Sequence, residues 1–210
     1  MRYQLVIFDM DGTLIEELLD FDQIYADIGI TQRIGILEYL EHADDAERAR
    51  AGAILHEHEY GAAGRCELFP RAMETLTTLR AAGVRTALLT RNSPACAALV
   101  SQRHNLTFDH TSTRDDRPYK PHPDSILNIL RRLNVPREQS LMVGDYIYDI
   151  QAAQNAGVDV ALVRMPQSQT LPPNTPEPTY RISQLDQLIE IVLHPDQANL
   201  IRQQQEQEAQ

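Results

Sequence analysis

The sequence predicts a doubly wound parallel α/β core carrying an inserted helical cap, and three observations predict it. Short apolar runs alternate with amphipathic helical stretches from residue 70 onward, the pattern of a parallel sheet covered on both faces. The stretch from about Ile15 to Phe69 breaks that alternation and reads as helical throughout. Turns rich in carboxylates directly follow two of the apolar runs, at the strand ends where such sheets bind ligands.

The elements follow in order. Leu5-Val6-Ile7-Phe8 is a buried strand that ends at Asp9. The insertion comes next, with Ile24 and Ile28, then Ile36, Leu37 and Leu40, then Ala53 and Ile54 as its apolar positions. Pro70 to Ala82 reads as a helix, because Met73, Leu76 and Leu79 share a stripe and Gly83 stands just past its end. Val84 to Thr90 is a strand, and Ser93-Pro94 supplies an N-cap and a first-turn proline for a helix running to about His104. A weaker strand follows at Phe108 to Thr111.

Ile126, Ile129, Leu130 and Leu133 mark a helix over Pro123 to Leu133. Leu141-Met142-Val143 is a short strand ending at Gly144, Tyr148 to Ala156 a helix, and Val158 to Val163 a further strand. Tyr180 to Ile182 forms a last short strand before a helix capped by Ser183. Met165 to Thr179 is a proline-rich loop, and residues 203–210 are a polar tail with little to bury. The predicted core is therefore residues 1–14 and 70–210, with residues 15–69 inserted as the cap over the strand ends.

A chain of 210 residues, 42% apolar, supports one sizeable core or a core plus a small module. No apolar run approaches the roughly 18 residues of a membrane span, and the N-terminus has neither the apolar segment nor the cleavage site of a signal peptide. A cytoplasmic protein is expected. Cys66 and Cys96 lack metal-type spacing and are expected to be inert thiols in a reducing compartment. The formal net charge of -11 repels nucleic acid, so any anionic substrate must be captured by local cations.

Asp9-Met10-Asp11-Gly12-Thr13 is the most informative segment. Side chains two apart on a strand share a face, so Asp9 and Asp11 approach one point if the strand persists. Two carboxylates there invite a metal or a shared proton. Gly12 permits a sharp turn with bare backbone beside a ligand, and the Thr13 hydroxyl is expected to hold that turn. The same residues also fit an ordinary Asp-Gly turn with solvated aspartates. Three later segments weigh against that: Thr90-Arg91-Asn92, whose hydroxyl and turn amides suit phosphate oxygens; Lys120, a compact charge anchored ahead of Pro121; and Gly144-Asp145 with Asp149. Oxygen donors at this density, without a cysteine or histidine cluster, favour Mg²⁺ over zinc. Asp149 fits direct ligation and helix N-terminal charge pairing equally well.

These four motifs, in this order, resemble the haloacid dehalogenase-like superfamily and specifically its phosphatase branch, of the phosphoglycolate phosphatase-like kind with a helical cap. The resemblance covers the chain up to the tail. It implies a Rossmann-like core and an Mg²⁺-dependent phosphatase that hydrolyses a small phosphorylated metabolite, with no nucleic-acid or membrane partner. Asp9 would be the nucleophile, forming an aspartyl-phosphate. Asp11 would act as acid and then base, its pKa raised by the charge of Asp9 and a closed cap. Gly12, Thr90, Arg91, Asn92 and Lys120 would surround the phosphate, and Asp9, Asp11, Asp145 and Asp149 the metal.

Arg91 stands where many relatives carry a smaller or uncharged residue, so a second anionic group and bulk solvent are both open as its partner. Glu17, His56, His58, Tyr60 and Arg65 are the cap candidates for lining the cleft, although each also fits a solvated or core-satisfied side chain, His56, His58 and Tyr60 as part of a plain amphipathic helix. Two other functions remain: a phosphomutase or phosphotransferase using the same intermediate, and a binder of phosphorylated ligands without turnover. The sequence does not address oligomeric state.

Overall fold

The computed structural model describes residues 2–32, 34–165 and 168–194, with Asp196 and Ile201 beyond them. The predicted polar tail and two residues of the proline-rich loop lie outside the described residues. Six strands form one parallel sheet: β1 (Leu5–Phe8), β2 (Arg85–Leu89), β3 (His110–Ser112), β4 (Ser140–Gly144), β5 (Asp159–Val163) and β6 (Tyr180–Ile182). Their spatial order is β3-β2-β1-β4-β5-β6, with every neighbouring pair parallel. The chain thus builds outward from β1 to one side and then, from β4, to the other. That reversal is the switch point at which doubly wound sheets bind ligands.

Period-two alternation divides the central strand between two cores. Val6 and Phe8 pack on one face with Leu76 and Leu79 of α4 (Ala72–Ala81), Val100 of α5 (Pro94–Arg103) and Leu188 of α8 (Gln187–Leu193). Leu5 and Ile7 pack on the other with Ile126 and Ile129 of α6 (Asp124–Leu133) and Ile150 of α7 (Ile147–Ala156). Ser93 caps α5 as expected, accepting the Cys96 amide at 3.3 Å with Pro94 in the first turn.

Some boundaries shift for local reasons. α4 begins two residues after Pro70, because Arg71 holds a left-handed φ of 69° and so lies outside the helix. Ser183 does not cap α8; the Gln187 carboxamide oxygen accepts the Ser183 and Gln184 amides at 2.8 and 3.1 Å instead, and the helix starts there. Met73 faces solvent rather than the core.

The insertion holds three helices and is not helical throughout: α1 (Phe21–Ile28), α2 (Ile36–His42) and α3 (Asp45–Ala63). Asp20 and Asp44 start α1 and α3 by accepting the Gln23 and Glu47 amides at 3.0 and 2.9 Å. The stripe that α3 buries is Ala51, Leu55, Glu59 and Ala62, whereas Ala53 is exposed and Ile54 only half-buried. Ala51 and Leu55 join Ile24, Ile28 and Ile36 in an apolar cluster separate from both faces of the sheet. The two connections to the core run side by side: Ile15 and Leu68 form an antiparallel bridge, flanked by Glu16 N to Glu67 O at 3.0 Å and Phe69 N to Leu14 O at 2.9 Å. Among the described residues no helix is long and apolar enough to cross a membrane.

Candidate active site

Phe8 stands opposite both Leu88 and Val143 in the sheet. Asp9, Thr90 and Asp145 therefore leave three adjacent strands at the same edge. The Asp9 amide donates to Val143 O at 2.8 Å, which carries the pairing one residue past β1. Behind it the backbone turns sharply, with Gly12 N to Ile15 O at 2.9 Å and Leu14 N to Met10 O at 2.9 Å. These backbone bonds hold the turn. The Thr13 hydroxyl, expected to do so, is buried without a hydrogen-bond partner.

Gly12 has a φ of +74°, and a Cβ there would come within 2.3 Å of Asp145 Oδ2. Backbone conformation and close approach both demand glycine. Gly12→Ala is expected to destabilise the fold by about 1–3 kcal/mol, the cost of a strained left-handed residue, and to displace the Asp145 carboxylate. Denaturant titration checks the first effect, and a crystal structure of the variant the second.

Lys120 is buried and its Nζ lies 2.6 Å from Asp9 Oδ1 and 2.6 Å from Asp149 Oδ1. The other Asp149 oxygen accepts the Tyr146 amide at 3.1 Å, a side-chain bond that caps the start of α7. Asp149 thus combines helix capping with an ion pair. Gly144 makes room for it, since a Cβ there would sit 2.1 Å from the Asp149 carboxyl carbon. Carboxylate oxygens of Asp9, Asp145 and Asp149 also lie within 4.8 Å of one another. Asp11 stands beside this group, its Oδ2 accepting Asn92 Nδ2 at 2.6 Å. The Asn92 amide in turn donates to Thr90 Oγ1 at 3.0 Å.

The site is short of positive charge. Burial, helped by Asp9, Asp149 and Glu17, pushes the Asp145 carboxyl up to about 9. Burial raises Asp9 to about 7 against the pull of Lys120, with Asp149 and Asp11 adding to it. Asp11 is raised to about 6 by burial, which Asn92 and Lys120 oppose, so its cause is desolvation rather than the charge of Asp9. Burial works against the Lys120 ammonium, but Asp149 and Asp9 outweigh it and hold its pKa above the ordinary value. Three clustered hard-oxygen donors with excess negative charge fit a small divalent cation such as Mg²⁺.

A cavity of about 360 Å³ opens above these groups. Every predicted site residue except Gly12 lines it: Asp9, Asp11, Thr90, Arg91, Asn92, Lys120, Asp145 and Asp149. Of the cap candidates only Glu17 does. His58 pairs with Asp27 at 2.8 Å, His56 stacks obliquely on the exposed Tyr60 with ring centres 5.5 Å apart, and neither they nor Arg65 line it.

Arg91 is partly exposed at the cavity, and its guanidinium is held by protein groups. Its Nη2 binds both Glu38 oxygens of α2 at 2.7 and 2.9 Å, its Nη1 donates to Lys120 O at 3.1 Å, and its guanidinium lies 4.2 Å from the Tyr148 ring centre. Sequence reasoning missed Glu38, Glu59, Tyr146 and Tyr148. For Glu59 a signal existed, since it occupies the buried stripe of α3 at four-residue spacing from Leu55.

A parallel sheet that gathers aspartates, a buried lysine and a threonine at the ends of adjacent strands defines a Rossmann-like α/β core with a carboxylate-rich site at its switch point. The model of the haloacid dehalogenase-like hydrolases matches residues 3–157, and the chain belongs to that family. A haloacid dehalogenase-like hydrolase domain-containing protein of Arabidopsis thaliana is 29% identical over 174 residues, covering 77% of this chain and 71% of its own. A phosphoglycolate phosphatase of Pseudomonas savastanoi pv. phaseolicola is 29% identical over 187 residues, covering 74% and 67%. The crystal structure of CbbY from Rhodobacter sphaeroides in complex with phosphate shares the fold, with a TM-score of 0.71, 21% identity and coverage of 89% of this chain and 96% of that one. Motifs and relatives together place the chain in the family's phosphatase branch.

Proposed function

We propose that the protein is an Mg²⁺-dependent phosphatase that hydrolyses a small phosphorylated metabolite, a phosphomonoester, through an aspartyl-phosphate on Asp9. The observation that carries this reading is the convergence of Asp9, Asp145 and Asp149 oxygens within 4.8 Å, beneath a cavity and beside a buried lysine. Lys120 occupies Asp9 Oδ1, which orients the carboxylate and leaves Oδ2 for attack on phosphorus. Asp11, with a pKa near the working range, protonates the leaving alkoxide and then takes a proton from the hydrolytic water. Thr90, Asn92, Lys120 and the turn at Gly12 surround the transferred phosphoryl group. Asp9 and Asp145, with Asp149 at their side, would hold Mg²⁺, which when bound neutralises charge on the phosphoryl oxygens.

Residues 15–69 serve as the cap over a core of residues 1–14 and 70–210, closing the cavity against water during transfer. A cytoplasmic setting belongs to the same proposal. Phosphate release from a panel of phosphomonoesters, with Mg²⁺ or with chelator, tests it. Chelation is expected to lower turnover at least about 100-fold, in line with several kcal/mol of charge stabilisation by a metal. Asp145→Ala is expected to raise the Mg²⁺ concentration needed for half-maximal rate; an unchanged Mg²⁺ titration would remove Asp145 from the metal site.

A further inference from the structure

Resting on that phosphatase reading, the side of the cavity built by the insertion bears on which alcohol is released. Its walls there are Leu19, Phe21, Tyr25, Ile36, Leu37 and Leu55, interrupted by Glu17 and Glu59. The cations among the described lining residues are Lys120 and Arg91, and both are engaged. Lys120 is bound to Asp9 and Asp149, and Arg91 to both oxygens of Glu38. A substrate bearing a carboxylate or a second phosphate would have to displace Glu38 from Arg91 while facing Glu17 and Glu59. Desolvating an anion on such a wall is costly.

Glu59 adds a positive requirement. It is 6% exposed, its Oε1 accepts Arg114 Nη1 at 2.5 Å, and its Oε2 has no hydrogen-bond partner. His56 and Cys96 each bring a polar atom within 4.8 Å of a Glu59 oxygen, yet neither bonds Oε2. A buried carboxylate oxygen without a partner is stabilised by a ligand that brings a donor, once the side chain turns this oxygen, closed to solvent in the structure, toward the cavity that Glu59 lines.

We propose that the alcohol released by this enzyme carries no negative charge, has an apolar body that packs on Phe21, Tyr25, Ile36 and Leu37, and presents a hydroxyl or amine donor to Glu59. A cavity of about 360 Å³ accommodates a phosphoryl group together with one ring. Glu59 is then a specificity-determining residue, held in place by Arg114.

A matched series separates these requirements: 2-phenylethyl phosphate, its 4-hydroxy and 4-carboxy derivatives, and 2-phosphoglycolate, each with Asp9→Asn protein as the control for contaminating activity. In kcat/KM the hydroxy compound is expected to exceed the parent several-fold, and to exceed the carboxy compound and 2-phosphoglycolate at least about tenfold, the scale on which a site built for one polar group discriminates. Glu59→Gln is expected to bring the ratio of hydroxy compound to parent close to one. Leu37→Ala, which leaves the Arg114 pair intact, is expected to lower kcat/KM for the aryl compounds by a larger factor than for 2-phosphoglycolate. Preference for 2-phosphoglycolate or the carboxy compound, or an unchanged ratio in folded Glu59→Gln protein, would overturn this inference and leave the phosphatase reading standing. No Asp9-dependent hydrolysis of any member, from folded protein, would overturn both.

Discussion

Asp9→Asn is expected to lower phosphate release at least about 1,000-fold, the scale of loss when a covalent nucleophile is removed, and to leave thermal stability unchanged or raised. The first half follows because an amide has the shape of the carboxylate without its nucleophilicity. The second follows from the site's charge. Burial and the neighbouring Asp149 and Asp11 raise the Asp9 pKa to about 7, so its ionised form is disfavoured where it stands. A neutral side chain of the same shape removes that penalty, and Lys120 keeps Asp149 as a partner at 2.6 Å. Groups arranged for chemistry commonly cost stability in this way. Phosphate release and a thermal melt on one preparation check both halves. A large drop in melting temperature together with lost activity would mean that the variant reports folding, and would leave the nucleophile unassigned.

Lys120→Met is expected to have the largest effect on stability. The side chain is buried between Asp9 and Asp149, and its removal leaves two carboxylates in a desolvated site without their shared cation. Breaking a buried ion pair from one side costs about 3–5 kcal/mol, so chemical denaturation should show a loss of that size. Adding Asp149→Asn to Lys120→Met is expected to recover part of it, because the second change removes a charge that the first left unpaired. Turnover should fall at least about 100-fold in both proteins, since the cation beside the phosphoryl group is gone. Equal stability of the single and double variants would show that Asp149 and Lys120 are not energetically coupled.

The strand ends were legible because short apolar runs stop at or just before Asp9, Thr90 and Asp145, and parallel topology then brings those ends together. Asp9, Thr90 and Asp145 each need only their own strand to place them. What stayed hidden depends on packing between the insertion and the core. Nothing local ties residue 38 to residue 91, so the Glu38–Arg91 pair emerges only once α2 lies over the strand ends. Glu59 was hidden differently, because a glutamate in a charged helix reads as a solvated face; its burial follows from α3 turning Ala51, Leu55, Glu59 and Ala62 inward. Asp149 was legible in position and ambiguous in role, and its two oxygens resolve into a capping bond and an ion pair.

The proposed mechanism requires that Asp9 be transiently phosphorylated. Rapid quenching of the enzyme during turnover of a phosphomonoester, followed by reductive trapping of acyl phosphates and peptide mass analysis, tests it most directly. Modification at Asp9 that requires both substrate and Mg²⁺ is the expected result. Steady phosphate release with Asp9 unmodified at every quench time, under conditions that trap a control aspartyl-phosphate, would contradict it.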